Sequence, residues 1–398
     1  MKIGIAKAAG EGETRVAMTP AVAKRLAGNG VELVVEAGAG LGASADDQAY
    51  RDAGVTVADS PAGVWAACDI VLCLDPPNEA GVDQMKEGAV LLGMLAPYQR
   101  HDLIRKCVER KVTAFAMEVL PRISRAQAAD TLSSQANLGG YKAVLLAADA
   151  SPKVFPMMIT AAGTLSPAKV FVLGAGVAGL QAIATAKRLG AVVEAFDVRA
   201  ATKEQVESLG GRFVELPQEQ AQDDKATGGY AKEQTEEQQK KQAELMAKHV
   251  TAADAVITTA AVPGKAPPML VPQDVVDKMQ PGSVLVDMAA SPDHGRGNCE
   301  ATRPGEVYTT DRGVTLIGTL NLPAKLPVHA SQAYANNMKA FLNAIIEQPA
   351  KPKEGEAQAD GASLKIDLDD EMVKGACVTH AGEIVHEQVK QVVSGSSE

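Results

Sequence analysis

Three glycines raise the first chemical question in this chain of 398 residues. They stand in Val172-Leu-Gly174-Ala175-Gly176-Val177-Ala178-Gly179-Leu-Gln-Ala, after an apolar run and before a helical pattern, Leu180–Leu189. Gly174 permits a tight turn, Gly176 lets a pyrophosphate reach the backbone, and Gly179 lets helix and strand pack closely. The helix start adds N–H donors and a partial positive charge. A second apolar run ends at Asp197. A carboxylate there accepts from adenosine ribose hydroxyls and repels a 2′-phosphate, so the pattern predicts NAD(H). The candidate binding set is Gly174, Ala175, Gly176, Val177, Ala178, Gly179, Asp197, Val198 and Arg199, with Ala260 just past another apolar run. Arg199 is the one residue that would suit NADP, and it is weighed below the acid. The glycines alone would equally make a ligand-free turn; strand, helix and acid in succession favour the nucleotide.

A second polar constellation is Arg122-Ile-Ser-Arg-Ala-Gln127-Ala-Ala-Asp130-Thr-Leu-Ser133-Ser-Gln-Ala-Asn137. Its side chains have the chemistry to hold a carboxamide and a charged ring. Taken alone, it reads equally as a helix start with solvated charges. The six histidines (His101, His249, His294, His329, His380, His386) lie elsewhere and read as surface or packing residues. No metal site is read.

The elements that position these groups alternate. Lys2–Ala6, Val31–Glu36, Ile70–Leu74, Ala89–Leu92 and Thr113–Met117 read as strands, with helical patterns at Pro20–Asn29, Gln48–Ala53, Ser60–Ala67 and His101–Arg110. An Ala-rich helix, Ser133–Ala148, and a turn-rich stretch from Pro156 precede a second alternating unit. Its strands are Lys169–Leu173, Val192–Phe196, Arg212–Glu215, Ala255–Thr258, Ser283–Asp287 and Thr315–Gly318. Such alternation predicts mostly parallel sheets with helices on both faces, an α/β fold. Gln218–Lys248 reads as a loop around Asp223–Tyr230 followed by a solvated helix. Glu347–Ala362 reads as a polar surface excursion and Val393–Glu398 as a frayed tail.

Composition sets bounds. Hydrophobic residues make up 46% and charged residues 22%, as in soluble globular chains. The net charge of −10 argues against nucleic acid and against direct docking on an anionic membrane. No apolar run approaches the roughly 20 residues a spanning helix needs, and the N-terminus turns polar too soon for a secretory signal. The expected location is the cytoplasm. The five cysteines, Cys68, Cys73, Cys107, Cys299 and Cys377, lack a CxxC pair and read as buried free thiols.

Met117-Glu-Val-Leu-Pro-Arg122-Ile-Ser-Arg-Ala-Gln127, the glycine turn with its helix, and Asp197-Val-Arg-Ala-Ala-Thr-Lys-Glu-Gln-Val-Glu-Ser-Leu-Gly-Gly together resemble one family. It is the NAD(H)-binding alpha component of proton-translocating NAD(P) transhydrogenase, related to alanine dehydrogenase. The resemblance runs over nearly the whole chain, through Gly228-Gly229-Tyr230-Ala-Lys and Gly375-Ala-Cys-Val-Thr-His. It implies a Re/Si-specific enzyme that is active only with partner subunits. Arg122, Gln127, Asp130 and Ser133 would orient the nicotinamide. Gly229 and Tyr230 would lie on a mobile loop that closes over the nucleotide. Hydride would pass to NADP(H) on a separate beta subunit, and membrane subunits would couple this to proton movement. The chain would be a homodimer, held to the cytoplasmic face of a bacterial inner membrane by those partners.

The resemblance also implies two domains with a cleft between them, 1–137 with 324–398 and 138–323, the second holding NAD(H). Alanine dehydrogenase uses a Lys and a His for its keto acid. The matching stretches here, Ile70–Pro77 and Leu91–Pro97, contain neither, although Arg15 is present in Glu13-Thr-Arg15-Val. Whether Arg15 binds an anion or serves structure stays open. An amino-acid dehydrogenase and an NAD(H)-sensing module stand as alternatives. One departure is the stretch Ala290-Ser-Pro-Asp-His-Gly-Arg-Gly-Asn298-Cys299, longer than the expected Gly-Gly-Asn-Cys link. It follows a strand at the sheet end where ligands bind, so its role is open too.

Overall fold

The computed structural model describes residues 1–28, 30–215, 236–261, 266–347 and 361–395. The chain forms two compact units, Met1–Gln135 with Ala324–Glu398, and Ala136–Pro323. The first begins with β1 (Lys2–Ile5), α1 (Pro20–Leu26), β2 (Glu32–Glu36), α2 (Asp47–Asp52), β3 (Thr56–Ala58), α3 (Ala62–Trp65), β4 (Ile70–Leu72), α4 (Glu79–Gln84), β5 (Val90–Gly93), α5 (His101–Glu109) and β6 (Thr113–Ala116). These strands are parallel, in the order β6-β5-β4-β1-β2-β3. Residue alternation sends Ile3, Ile5, Ile70, Leu72 and Leu92 to one face and Val71, Cys73, Leu91 and Ala114 to the other. Both faces are buried, which is why the strands read as unbroken apolar runs.

The helix α6 (Thr131–Ala150) carries the chain onward to a hairpin of β7 (Met158–Thr160) and β8 (Gly163–Leu165). Next come β9 (Lys169–Leu173), α7 (Val177–Arg188), β10 (Val192–Phe196), α8 (Lys203–Ser208), β11 (Arg212–Phe213), α9 (Glu236–Ala252), β12 (Ala255–Thr258), α10 (Gln273–Val276), β13 (Val284–Asp287), β14 (Val307–Thr309) and β15 (Thr315–Ile317). The sheet order is β11-β10-β9-β12-β13-β15-β14, parallel except for β14. The chain ends with α11 (Pro327–Ile345), β16 (Ile346–Glu347), β17 (Ser363–Leu364), α12 (Glu371–Ala376), β18 (Cys377–His380), β19 (Glu383–Ile384) and α13 (Glu387–Gly395). β18 pairs antiparallel with β6, so the C-terminal segment covers that edge of the first sheet.

The α/β class and the mostly parallel sheets are as the alternation predicts. The structure adds elements the sequence pattern does not announce. Strands of two or three residues, such as β3, β14 and β17, are too short to show a period. The turn-rich stretch after Pro156 holds a hairpin. The long helix α11 buries Ala330, Tyr334, Met338, Phe341 and Ile345 in the first core. No described helix is long and apolar enough to cross a membrane.

Candidate nucleotide site and the polar turn

In the second unit, the reversal of strand order lies between β9 and β12. A doubly wound sheet opens a crevice at such a point. The glycine turn sits there, with Gly174 at φ 101°. A Cβ on Gly174 would come within 2.5 Å of the Thr259 hydroxyl, and one on Gly179 would overlap the Gly174 carbonyl. These two glycines are required by the fold itself. Gly176 is different: a Cβ there would meet only the Arg199 Nη2, at 4.0 Å. No side chain caps α7, which begins directly after Gly176. Open space above an uncapped helix start fits a diphosphate.

Asp197 ends β10 and accepts four hydrogen bonds. The Ala175 N–H donates at 2.7 Å and the Arg199 N–H at 2.9 Å. The Arg199 guanidinium adds Nε and Nη2, each at 2.9 Å. Burial pushes this carboxyl up, but the Arg199 guanidinium and the backbone donors hold it below its ordinary value. Thus Arg199 does not reach outward for a 2′-phosphate; it is folded onto the acid. Val177 and Val198 are exposed beside the turn. Ala260 is braced by buried Asn298, whose Oδ1 accepts its N–H at 3.1 Å and whose Nδ2 donates to its carbonyl at 2.8 Å. Asn298 belonged to the expected Gly-Asn-Cys link, but only the fold shows that it fixes the β12 end.

The longer link is a self-contained turn. The Ser291 N–H donates to the Arg296 carbonyl at 3.0 Å, and Gly295 takes φ 62° between them. Behind it, buried Asp287 accepts from the Thr258 and Thr302 hydroxyls and the Ala289 and Cys299 N–H groups.

In the first unit, Ser124–Ala129 is a 3₁₀ turn leading into α6. Asp130 caps that helix, accepting from the Ser133 N–H at 2.9 Å and the Ser133 hydroxyl at 2.6 Å. The turn is tied by Arg125 to Asp370 at 2.5 Å and by the Asn337 amide to the Ala128 carbonyl at 2.8 Å. Arg122 and Gln127 are exposed and make no hydrogen bond among the described residues. The fold therefore gathers Arg122, Gln127, Asp130 and Ser133 on one turn, two of them bonded to each other and two left available. Gly229 and Tyr230 lie outside the described residues. Asn337 and Asp370 come from the C-terminal segment, where their distance in sequence hides them.

Arg15 is buried and engaged. Its Nε and Nη2 donate to Glu13 at 2.8 and 2.6 Å, and Nη1 donates to Gln135 at 2.8 Å. The crevice between β1 and β4 is a polar cavity of about 300 Å³ that includes Lys7, Glu36, Trp65, Asp75 and Gln84. Asp75 there accepts from the Gly10 N–H at 2.5 Å, and burial pushes its carboxyl up.

A switch-point crevice, a glycine turn under a helix start and an acid ending the next strand define a dinucleotide-binding α/β protein. The chain belongs to the alanine dehydrogenase/PNT family: the N-terminal domain model matches residues 4–139 and the C-terminal domain model residues 143–387. It is 47% identical over 391 residues to the first polypeptide of the split NAD(P) transhydrogenase alpha subunit of Rhodospirillum rubrum, covering 97% of this chain and 98% of that one. The solved transhydrogenase of Sinorhizobium meliloti matches with a TM-score of 0.81 at 40% identity, over 98% of this chain and 100% of that one. Alanine dehydrogenase of Bacillus subtilis is 28% identical over 383 residues, 92% of this chain and 90% of that one.

Proposed function

We propose that this chain is the NAD(H)-binding component of a Re/Si-specific, proton-translocating NAD(P) transhydrogenase. It passes hydride between NADH in its own site and NADP⁺ on a partner beta subunit, and membrane-spanning subunits couple the transfer to proton movement. The observation that carries this reading is the open Gly176 position above an uncapped α7, in a chain 47% identical to a transhydrogenase alpha subunit.

The roles follow from chemistry. The Val177, Ala178 and Gly179 segment offers donors to the diphosphate, with Gly174, Ala175 and Gly176 as its floor. Ribose hydroxyls compete with Arg199 for the Asp197 oxygens, and Val198 and Ala260 line the nucleotide. Arg122 and Gln127, exposed on the polar turn, and the capping pair Asp130 and Ser133 orient the nicotinamide and its carboxamide. By resemblance, Gly229 and Tyr230 close over it. The bound nicotinamide supplies the hydride; the chain supplies orientation, which is what a transfer without proton movement requires. The geometry of Arg15 supports this over a keto-acid enzyme, because its guanidinium is already clamped by Glu13 and Gln135.

The chain acts as a homodimer on the cytoplasmic face of the membrane, held there by its partners. The β7–β8 hairpin supports a second copy: Met157, Met158, Ile159 and Leu165 are all exposed, and two short strands are marginal alone in water.

Fluorescence titration of the purified chain with NADH, and with NADPH as control, tests the nucleotide assignment. NADH binding well above NADPH is expected; equal or reversed preference overturns it. Reconstitution with the partner subunits should then give hydride transfer, and its absence would leave a sensing module. Alanine-dependent NAD⁺ reduction by the chain alone would replace the reading with an amino-acid dehydrogenase.

A further inference from the structure

One chain of buried polar side chains runs through the first unit and ends on the polar turn. It starts at Glu13, whose side chain is 3% exposed and whose carboxylate is gripped by both Nε and Nη2 of Arg15. The Arg15 Nη1 then donates to the Gln135 Oε1 at 2.8 Å. Gln135, in the first turns of α6, donates its amide to the Ala330 carbonyl of α11 at 3.1 Å and to the Ser134 hydroxyl at 3.2 Å. The Ser134 hydroxyl donates to the Asn337 Oδ1 at 2.7 Å, and the Asn337 amide donates to the Ala128 carbonyl at 2.8 Å. Ala128 follows Gln127 and lies two residues before Asp130.

Arg15, Gln135 and Asn337 are all under 10% exposed. Helix-to-helix packing between α6 and α11 does not need them: apolar residues of similar volume fill such a seam without desolvating a guanidinium and a carboxylate. What apolar residues cannot do is hold a backbone carbonyl at a set distance and angle. A hydrogen-bonded network with two discrete ends does so, because each partner fixes the rotamer of the next.

We propose that Arg15 and Asn337 are positioning residues for hydride transfer, acting through Gln135 and Ser134 to fix the turn that carries Gln127 and Asp130. This rests on the reading that the turn holds the nicotinamide. Neither residue touches the nucleotide in this scheme. A displacement of about 1 Å at a reacting group is enough to slow a transfer by up to about a hundredfold, so loss of one link is felt in rate rather than in affinity.

The test uses the chain reconstituted with its NADP(H)-binding and membrane subunits, with single-turnover hydride transfer and NADH titration measured side by side. Arg15→Lys keeps a positive charge against Glu13 but cannot fork onto Glu13 and reach Gln135 together. Asn337→Leu removes the last link. Each should slow transfer roughly tenfold with NADH affinity within about twofold of the parent. The double variant should be no slower than the slower single, because both break one network. Ser134→Ala, which changes little volume, gives the same reading if Asn337→Leu does not fold. Rates unchanged in the singles, or fully multiplicative losses in the double, overturn the inference. Arg122→Ala separates the two levels. If it slows transfer while Arg15→Lys and Asn337→Leu do not, only the network falls. If Arg122→Ala is also without effect, the nicotinamide reading falls with it.

Discussion

The two units solve the same folding problem and differ in what they do at the crevice. Each places its first five strands in the order third, second, first, fourth, fifth, so each has a switch point between its first and fourth strands. Each also ends its second strand in an acid that clamps the loop after the first strand. Glu36 accepts from the Lys7 N–H at 3.0 Å, and Asp197 accepts from the Ala175 N–H at 2.7 Å. An acid at this position therefore does not by itself mark a nucleotide site. The difference lies in the loop. After β9 the chain turns at Gly174 and enters α7 at Val177. After β1 it wanders from Ala6 to Thr19 before α1 begins at Pro20. Only the second unit aims a helix start at its crevice, and only there is a position left open to a phosphate.

The strongest way to break this comparison is Gly176→Val. The open space at that position predicts an intact fold with an unchanged melting temperature. The added side chain lies where the diphosphate belongs, so NADH binding should weaken by about a thousandfold, from the loss of several charge-assisted hydrogen bonds. Normal binding by a folded variant would show that the turn is structural only.

A second contrast concerns buried acids. In the second unit Arg199 holds Asp197 down. In the first unit Glu118 has no cation beside it. It accepts the Leu95 and Ala96 N–H groups at 2.8 and 2.5 Å, its Oε2 has no partner, and burial pushes it up to about 7. In the unfolded chain the same group titrates near about 4.3. A raised folded value means the protonated form is favoured on folding. The stabilisation is complete below about pH 4 and is lost as pH rises toward about 7, then changes no further. Against Glu118→Gln, the parent should lose on the order of 3 kcal/mol over that window. Denaturant titrations of both proteins from about pH 4 to about pH 8 would show this; parallel profiles would remove the contrast.

Smaller effects sharpen the role of the two loop-clamping acids. Asp197→Asn should weaken NADH about tenfold and narrow the preference over NADPH, because the repulsion of a 2′-phosphate is removed while the Ala175 contact survives. Glu36→Gln, its counterpart, should leave NADH affinity within about twofold, since it touches only its own unit's loop. A marked loss of NADH binding in Glu36→Gln would mean that the two acids are not equivalent clamps.

Much of this was legible locally. The βαβ unit around Gly174, Gly176 and Gly179 is contiguous, and its strands β9 and β10 fall where the apolar runs end. The parallel architecture follows from strand and helix alternation. The turn from Arg122 to Ser133 could be found as a group because its members are neighbours in the chain. What resisted reading were partners brought from afar. The spacing of Ala330, Tyr334, Met338 and Phe341 marks α11 as a helix, yet nothing in it says that Asn337 meets Ala128.

The amino-acid sequence by itself determined the fold class, the nucleotide turn and the family. Those depend on backbone conformations and periodicities set within a few neighbouring residues. The tertiary structure alone decided how polar side chains are spent: Arg199 on Asp197, Arg15 on Glu13 and Gln135, and Asn337 on the polar turn. A charged or amide side chain has several possible partners of nearly equal chemistry. Which one it takes depends on what burial brings within about 3 Å, and that distance is a property of the packed chain.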